Sequence, residues 1–199
     1  MLFLASKSPR RRQLLRQAGL RFRVMVSNVH EEIAAPNPTR YAIRIAERKV
    51  LAVAPRVKTG IILGVDTIVV LPRGHDPNRL DSGSCPRILG KPASKADARR
   101  MLLALSGRTH RVISGVCVLR KPSGRKLLAA ETTRVTFRRL TRREIEDYIS
   151  TREPYDKAGA YAIQGKAGFF VERVSGDYFN VVGLPVALVL RLLRKACGR

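Results

Sequence analysis

The most chemically suggestive segment lies near the start of the chain, where hydroxyl and basic side chains precede a predicted helix. Residues 6–12 read Ser-Lys-Ser-Pro-Arg-Arg-Arg. The start of a helix offers unpaired backbone N–H groups and a partial positive charge, and arginine forks match phosphate oxygens. The segment is therefore a candidate site for a polyphosphate. A basic turn that only caps a helix is the alternative interpretation.

A second feature is an acid, Asp66, inside the apolar run of residues 63–70. Burying an ionised carboxylate is costly unless it is paired or binds a cation. Beside phosphate oxygens, such a group works through a divalent metal or as a base for water. Glu31 and Glu32 follow the second predicted strand and are candidates for a further acidic ligand. The alternative is a structural ion pair with one of the 39 basic residues.

A third feature is the stretch of residues 153–165, in which glycines and alanines surround one amide side chain, Gln164. An amide offers both a donor and acceptors, so Gln164 is a candidate for reading the edge of a base packed on small residues. A turn with a surface glutamine is the alternative. His30, His75 and His110 lack the spacing of metal ligands and are interpreted as structural or exposed.

Length and charge limit the classes of protein. The 199 residues suit one domain with two lobes, and the net charge of +24 favours a polyanionic partner: nucleic acid, an anionic membrane surface or a phosphorylated small molecule. Three well-separated cysteines argue against a disulfide framework and a zinc site, and suit a reducing compartment. No apolar run approaches the roughly 18 residues of a transmembrane helix. We therefore expect a soluble, cytoplasmic protein without a membrane partner.

Hydrophobic periodicity and capping signals predict the elements that must position these residues. Strands are predicted at 2–5, 21–27, 61–71, 109–119, 126–137 and 169–174. Helices are predicted at 10–18, 37–54, 94–106, 141–151 and 185–196, and a loop at 72–87. The alternation of strands and helices implies parallel crossovers, and the turn at 121–125 implies a hairpin. The predicted fold class is therefore α/β with a mixed sheet.

Six segments, taken in order along the chain, resemble the Maf family of nucleoside triphosphate pyrophosphatases, and the resemblance runs from Leu4 to Pro185. They are LASKSPRR (4–11), LGVDT (63–67), GKP (90–92), SGRTH (106–110), DKAGAYAIQG (156–165) and NVVGLP (180–185). The segment that ends in Gln164-Gly165 is more similar to the subgroup that acts on dTTP and UTP than to the one that acts on 7-methylguanosine triphosphate.

The resemblance implies hydrolysis of a nucleoside triphosphate between its α and β phosphates, with Mg²⁺ or Mn²⁺ as the divalent cation. The substrates implied are dTTP, UTP and modified pyrimidine nucleotides, in a house-cleaning role. The implied fold is an elongated mixed β-sheet with flanking helices and two lobes around a deep cleft, related to the inosine triphosphate pyrophosphatases. A homodimer is also implied.

The resemblance assigns roles to individual residues. Asp66 is implied as the catalytic carboxylate, which acts as general base or metal ligand, and Glu31 is implied as a second metal ligand. The positions around the triphosphate are Ser6, Arg10, Lys49 and Lys91. The positions associated with nucleobase selection are Arg11, Thr67 and Gln164.

Two other classes of protein stay open on the sequence. The charge alone favours a basic nucleic-acid-binding protein, but the arginines are scattered over most predicted elements and no RNA-recognition, KH or zinc-finger signature is present. We therefore do not expect nucleic acid to be the partner. A regulator of cell division that binds nucleotides without turnover is the other alternative.

Overall fold

The computed structural model describes residues 1–29, 37–72 and 87–198. Within them, the strands are β1 (Leu2–Leu4), β2 (Phe22–Val24), β3 (Gly60–Leu71), β4 (Arg87–Leu89), β5 (Thr109–Lys121), β6 (Lys126–Phe137) and β7 (Val171–Ser175). The α-helices are α1 (Pro9–Gln17), α2 (Pro38–Val53), α3 (Lys95–Leu105), α4 (Arg142–Ile149), α5 (Tyr178–Val182) and α6 (Val186–Cys197).

The seven strands form one mixed sheet in the order β2-β1-β3-β5-β6-β7, with β4 paired to β3. Strand β1 lies between β2 and β3 and runs parallel to both, so that Leu4 lies opposite Val24 on one side and Leu63 on the other. The strands β4 and β7 are antiparallel to β3 and β6. This arrangement confirms the predicted α/β fold class with a mixed sheet.

The chain divides into two compact units. The first comprises the described residues of 1–67, 113–131 and 179–199, and the second those of 68–112 and 132–178. The strands β3, β5 and β6 contribute residues to both. None of the helices in the described ranges has the length and apolar character needed to span a bilayer.

In the first unit, α2 lies unusually close to the sheet because two strand positions facing it are glycines. A Cβ atom on Gly115 would lie 2.2 Å from the carbonyl carbon of Ala42, and one on Gly64 would lie 2.4 Å from the carbonyl oxygen of Ala46. Contacts this short are forbidden to any side chain. The glycines therefore fix the distance between α2 and strands β3 and β5, and the core cluster of Val50, Ile62 and their neighbours packs in that layer.

The second unit is organised around a cluster of aromatic rings. Phe137 at the end of β6 packs edge-to-face against His110 and Tyr161, with ring centroids 5.1 and 4.9 Å away. Phe170 joins the cluster through Phe137 and through Tyr148 of α4. Such edge-to-face pairs add to the apolar burial that holds this unit together.

The predicted helix starts are confirmed by their caps. Ser8 accepts a hydrogen bond from the backbone of Arg11 with proline at the first helical position, and Asn37 caps α2 in the same way. Ser94 caps α3, and Thr141 with Glu144 forms a complete capping box on α4. These signals are local, so the residue types alone reveal them.

The structure differs from the predicted elements in short segments. The unpredicted strand β4 begins at Arg87, the last residue of the predicted loop, and the predicted second strand is reduced to Phe22–Val24. Phe169 and Phe170 belong to a 3₁₀ turn ahead of β7, and the five-residue α5 was not predicted. Segments of three to five residues are too short to show a hydrophobic period. Residues 73–86 of the predicted loop lie outside the described residues.

Candidate active site

The centre of the candidate site in the first unit is a buried ion pair. Asp66 Oδ1 of β3 lies 2.7 Å from Lys49 Nζ of α2, and the two side chains are 9% and 10% exposed. Lys49 is one helical turn beyond Ala46, and Asp66 is two residues beyond Gly64 on the same face of the strand. The close approach of α2 over Gly64 therefore places the ammonium group on the carboxylate.

The ion pair is compatible with both interpretations of Asp66 that the sequence left open, a structural pair and a group that binds a cation or acts as a base. The carboxylate does form a structural pair, and its partner Lys49 is itself one of the predicted phosphate-binding residues. Within the described ranges, the hydrogen bonds to Asp66 involve only Oδ1. The second carboxylate oxygen, Oδ2, therefore keeps its capacity to accept a proton or to bind a cation.

The β1–α1 connection supplies donors for an anion in the same unit. Ser6 is buried, and its Oγ accepts hydrogen bonds from the backbone N–H of Ser8 at 3.2 Å and from Arg11 Nη1 at 3.2 Å. The Ser6 hydroxyl proton has no acceptor among the residues that the structure describes. Arg10 is half-buried and makes no hydrogen bond or ion pair in the same part of the chain. Both groups can therefore donate to a bound phosphate.

Arg11 and Thr67, two of the three predicted specificity residues, are in direct contact. The Arg11 guanidinium donates from Nη2 to Thr67 Oγ1 at 3.2 Å and from Nε to the carbonyl oxygen of Gly183 at 2.9 Å. Thr67 Oγ1 also lies 2.8 Å from Ser114 Oγ and 3.3 Å from the Gly183 carbonyl. We call Arg11, Thr67, Ser114 and Gly183 the arginine cluster.

The arginine cluster and the ion pair lie on opposite faces of β3. Successive side chains of a strand alternate between the two faces of its sheet. Asp66 shares the α2 face with Gly64, so Thr67 points to the other face, where α1 supplies Arg11. The structure thus pairs Lys49 with Asp66 and joins Ser6, Arg11 and Thr67 by hydrogen bonds, and in the described ranges it shows no hydrogen bond or ion pair of Arg10 with either group.

Lys91 and Gln164 belong to the second unit. Lys91 is exposed and follows Gly90, whose carbonyl accepts a hydrogen bond from the Gly159 N–H at 3.0 Å. Gln164 is also exposed, and within the described residues its amide makes no hydrogen bond. The Gln164 amide is therefore available to an external ligand.

The backbone on both sides of Gln164 is held in place. Three residues before it, the buried Tyr161 hydroxyl lies 2.8 Å from His110 Nε2. Two residues after it, the Lys166 N–H donates to Glu153 Oε2 at 3.1 Å. Burial lowers the pKa of His110 to about 3, so the imidazole is neutral at ordinary pH. The exposed amide is thus carried on a fixed backbone, which a group that reads a base edge requires.

Glu31 lies among residues 30–36, outside the described residues. Its assignment as a second metal ligand therefore stays a prediction.

Comparison with known proteins relates nearly the whole chain to one family. Residues 1–196 match the sequence profile of the family described as Maf-like protein. The chain belongs to the Maf-like family. It is 47% identical over 198 residues to a protein of Thermococcus onnurineus named dTTP/UTP pyrophosphatase, covering 100% of this chain and 99% of the relative. Relatives of the same name from Koribacter versatilis and Carboxydothermus hydrogenoformans are 46% and 43% identical, covering 98% of this chain and 94% and 97% of their own lengths.

The described residues of this Maf-like chain suit a divalent cation that is bound together with a nucleotide. No group of three or more His, Cys, Asp or Glu side chains comes together in the described part of the chain. Asp66 offers one carboxylate with Oδ2 available. Mg²⁺ is commonly held by one or two carboxylates together with substrate phosphates and water. Asp66 can therefore supply one such carboxylate.

Sequence reasoning missed Ser114 and the Gly183 carbonyl. Ser114 is fully buried in β5 among Val112, Ile113 and Val116. A lone hydroxyl in an apolar strand is the same kind of signal that identified Asp66. Gly183 stands in one of the Maf-like segments, but a backbone carbonyl leaves no signal in the residue types.

Proposed function

We propose that this chain hydrolyses dTTP and UTP to the monophosphate and pyrophosphate. The observation that carries the proposal is the buried Lys49–Asp66 pair, whose second carboxylate oxygen has no hydrogen bond in the described ranges, in a chain similar over its full length to proteins named dTTP/UTP pyrophosphatase. In the reaction, a water oxygen attacks the α-phosphorus, the bond from that phosphorus to the bridging oxygen breaks, and pyrophosphate leaves.

Asp66 is proposed as the general base. Lys49 Nζ donates to Oδ1 at 2.7 Å, which fixes the orientation of the carboxylate. Oδ2 is then free to take the proton of the attacking water. Glu31 is the alternative base. A bound Mg²⁺ or Mn²⁺, with Asp66 and Glu31 as its proposed ligands, would polarise the α-phosphate and lower the pKa of a bound water.

Basic and hydroxyl groups are proposed to hold the triphosphate. The Ser6 hydroxyl and the Arg10 guanidinium both have donors to spare within the described residues. Lys49 and Lys91 add ammonium groups. Negative charge builds up on the departing pyrophosphate, so positively charged donors fixed in advance lower the barrier to its departure.

Arg11, Thr67 and Gln164 are proposed to select the base. Thymine and uracil present an N–H donor next to carbonyl acceptors, and the exposed Gln164 amide carries the complementary acceptor and donor. Arg11 is held by Thr67 and Gly183, so its guanidinium keeps one orientation.

The test is an assay of pyrophosphate release across a panel of normal and modified triphosphates with Mg²⁺ or Mn²⁺. We expect turnover of dTTP and UTP, and its loss in Asp66→Asn, which keeps the shape of the side chain and can still accept from Lys49. Asp97→Asn is the matched control, since Asp97 is a hydrogen-bonded carboxylate at the start of α3 in the second unit. Release from no triphosphate, or near-normal turnover by a folded Asp66→Asn protein, would overturn the proposal.

The same assay separates the alternatives. Nucleic-acid binding that weakens steeply with salt, without release of pyrophosphate, would favour the basic nucleic-acid-binding protein. Nucleotide binding without turnover would favour the regulator. We also propose a cytoplasmic location, supported by the free thiols of Cys117 and Cys197, and a homodimer stays a prediction from the resemblance.

A further inference from the structure

The hydrogen bonds of the arginine cluster determine which hydroxyl donates to which. Arginine has no acceptor, so Thr67 Oγ1 accepts from Arg11 Nη2. A carbonyl only accepts, so the contact between Thr67 Oγ1 and the Gly183 oxygen uses the Thr67 proton. The contact between Thr67 and Ser114, at 2.8 Å, must then use the Ser114 proton. With this assignment every contact of the cluster is satisfied at once.

The opposite assignment leaves contacts unmade. If Thr67 donated its single proton to Ser114, it could not also donate to the Gly183 carbonyl. The Ser114 proton would then have no acceptor among the described residues, since Thr67 is its hydrogen-bond partner there and Ser114 is fully buried. A buried hydroxyl without an acceptor is unfavourable. Ser114 is therefore the donor.

This assignment leaves Thr67 no hydrogen-bonding capacity for a ligand. Both of its lone pairs accept, from Ser114 and Arg11, and its single proton goes to Gly183. Thr67 can influence which nucleotide binds only through the group that it holds. That group is the Arg11 guanidinium, which is anchored at Nε as well.

We propose that Ser114 is a positioning residue for nucleotide selection. Its buried hydroxyl fixes the orientation of the Thr67 hydroxyl, and Thr67 together with the Gly183 carbonyl fixes the plane of the Arg11 guanidinium. The inference rests on the proposed function, in which Arg11 helps to select the base. Without the Ser114 donor, the Thr67 hydroxyl can rotate and Arg11 loses its single orientation.

The kinetic test compares Ser114→Ala with Cys117→Ala. Each substitution removes one heavy atom from a fully buried Cβ of β5, but Cys117 packs in the apolar cluster under α2, away from Arg11. We expect Ser114→Ala to lower the ratio of kcat/KM for dTTP to that for dGTP by about 3- to 10-fold, the worth of one neutral hydrogen bond, mainly through KM. Cys117→Ala should leave the ratio unchanged. An unchanged ratio in Ser114→Ala, or an equal fall in both variants, would overturn the proposal.

A double-mutant cycle separates positioning from a general packing defect. Because Ser114 acts through Thr67, adding Ser114→Ala to Thr67→Val should change the ratio by less than about twofold. An undiminished effect in that background would contradict the proposal. If Ser114→Ala does not fold, Ser114→Cys replaces it, because a thiol fills the site but donates weakly; we expect a smaller fall in the same direction.

A second readout does not depend on turnover. The Arg11 Nε–Hε group donates to the Gly183 carbonyl, so its NMR signal should be protected from exchange in the wild type and in Cys117→Ala. We expect that protection to fall in Ser114→Ala, and unchanged protection would overturn the proposal. If the wild type hydrolyses no triphosphate, the proposed function fails on the kinetic assay, while this signal still decides whether Ser114 positions Arg11.

Discussion

Acidification is expected to destabilise the second unit through one buried histidine. His110 is fully buried, its Nε2 contacts the Tyr161 hydroxyl, and its Nδ1 has no hydrogen-bond partner among the residues that the structure describes. Burial lowers its pKa from 6.5 to about 3, so the folded chain keeps the imidazole neutral where the unfolded chain takes up a proton. The stability that this group contributes is complete above pH 6.5 and is lost as the pH falls toward 3.

The magnitude follows from proton linkage. Between the two pKa values the unfolded chain binds one more proton than the folded chain, so the free energy of unfolding falls by about 1.4 kcal/mol per pH unit. From pH 7.5 to pH 4.5 the loss from His110 alone is about 2.5 kcal/mol. That loss is a large part of the stability of an ordinary domain, about 5–15 kcal/mol.

The assay is urea unfolding of the wild type and of His110→Gln at a series of pH values. Glutamine can still bond to Tyr161 but does not titrate. The free energy of unfolding of the variant should therefore change with pH less steeply than that of the wild type, by about 1.4 kcal/mol per pH unit. The change in the free energy of unfolding is best measured between pH 5 and 6, above the pH range in which carboxylates ordinarily titrate. Glu144, whose pKa the Arg138 hydrogen bond lowers from 4.5 to about 2, contributes only below that window.

Two results would refute this reasoning. The first is a free energy of unfolding that stays flat between pH 6 and 5 in the wild type. The second is an equal slope in His110→Gln, which would assign the pH dependence to other groups.

Three further predictions concern the packing and chemistry of the first unit. Gly115→Ala should destabilise the chain by at least about 2 kcal/mol, measured as a fall in the urea midpoint, because the new methyl group meets the backbone of α2. Lys49→Met should cost about 3–5 kcal/mol by leaving Asp66 buried without its cation, and adding Asp66→Asn should recover most of that stability; no recovery would contradict the pairing. Burial raises the pKa of Cys117 to about 12, so mass spectrometry after alkylation of the folded protein should find Cys197 modified before Cys117.

Much of the fold could be predicted because its signals are local. Serine or threonine with a proline or glutamate at fixed offsets marks a helix start, and Ser8 and Thr141 behave as those patterns indicate. Long apolar runs mark the strands β3 and β5. The short strand β4 could not be predicted, because its three residues owe their conformation to pairing with β3 and not to their own pattern.

The contacts of the candidate site could be predicted only in part. The position of Asp66 in an apolar strand shows that it needs a partner, but 39 basic residues offer too many choices. The packing of α2 on the sheet decides among them, and that packing depends on the absence of side chains at Gly64 and Gly115. Ser114 could be noticed as a lone hydroxyl, but its partner is set by the pairing of strands far apart in the chain.

The Lys49–Asp66 ion pair is better explained by the proposed reaction than by its contribution to the stability of the fold. A buried pair must first lose its hydration, and apolar residues of similar volume stabilise a core equally well or better. Two glycines nevertheless bring α2 close enough to set Lys49 on Asp66, although glycine weakens a strand interior. Packing alone would favour larger side chains at the two glycines and apolar side chains at the two charged positions. What the arrangement does supply is a carboxylate oriented through Oδ1, with no hydrogen bond to Oδ2 in the described ranges, which suits the proposed role as a base for water.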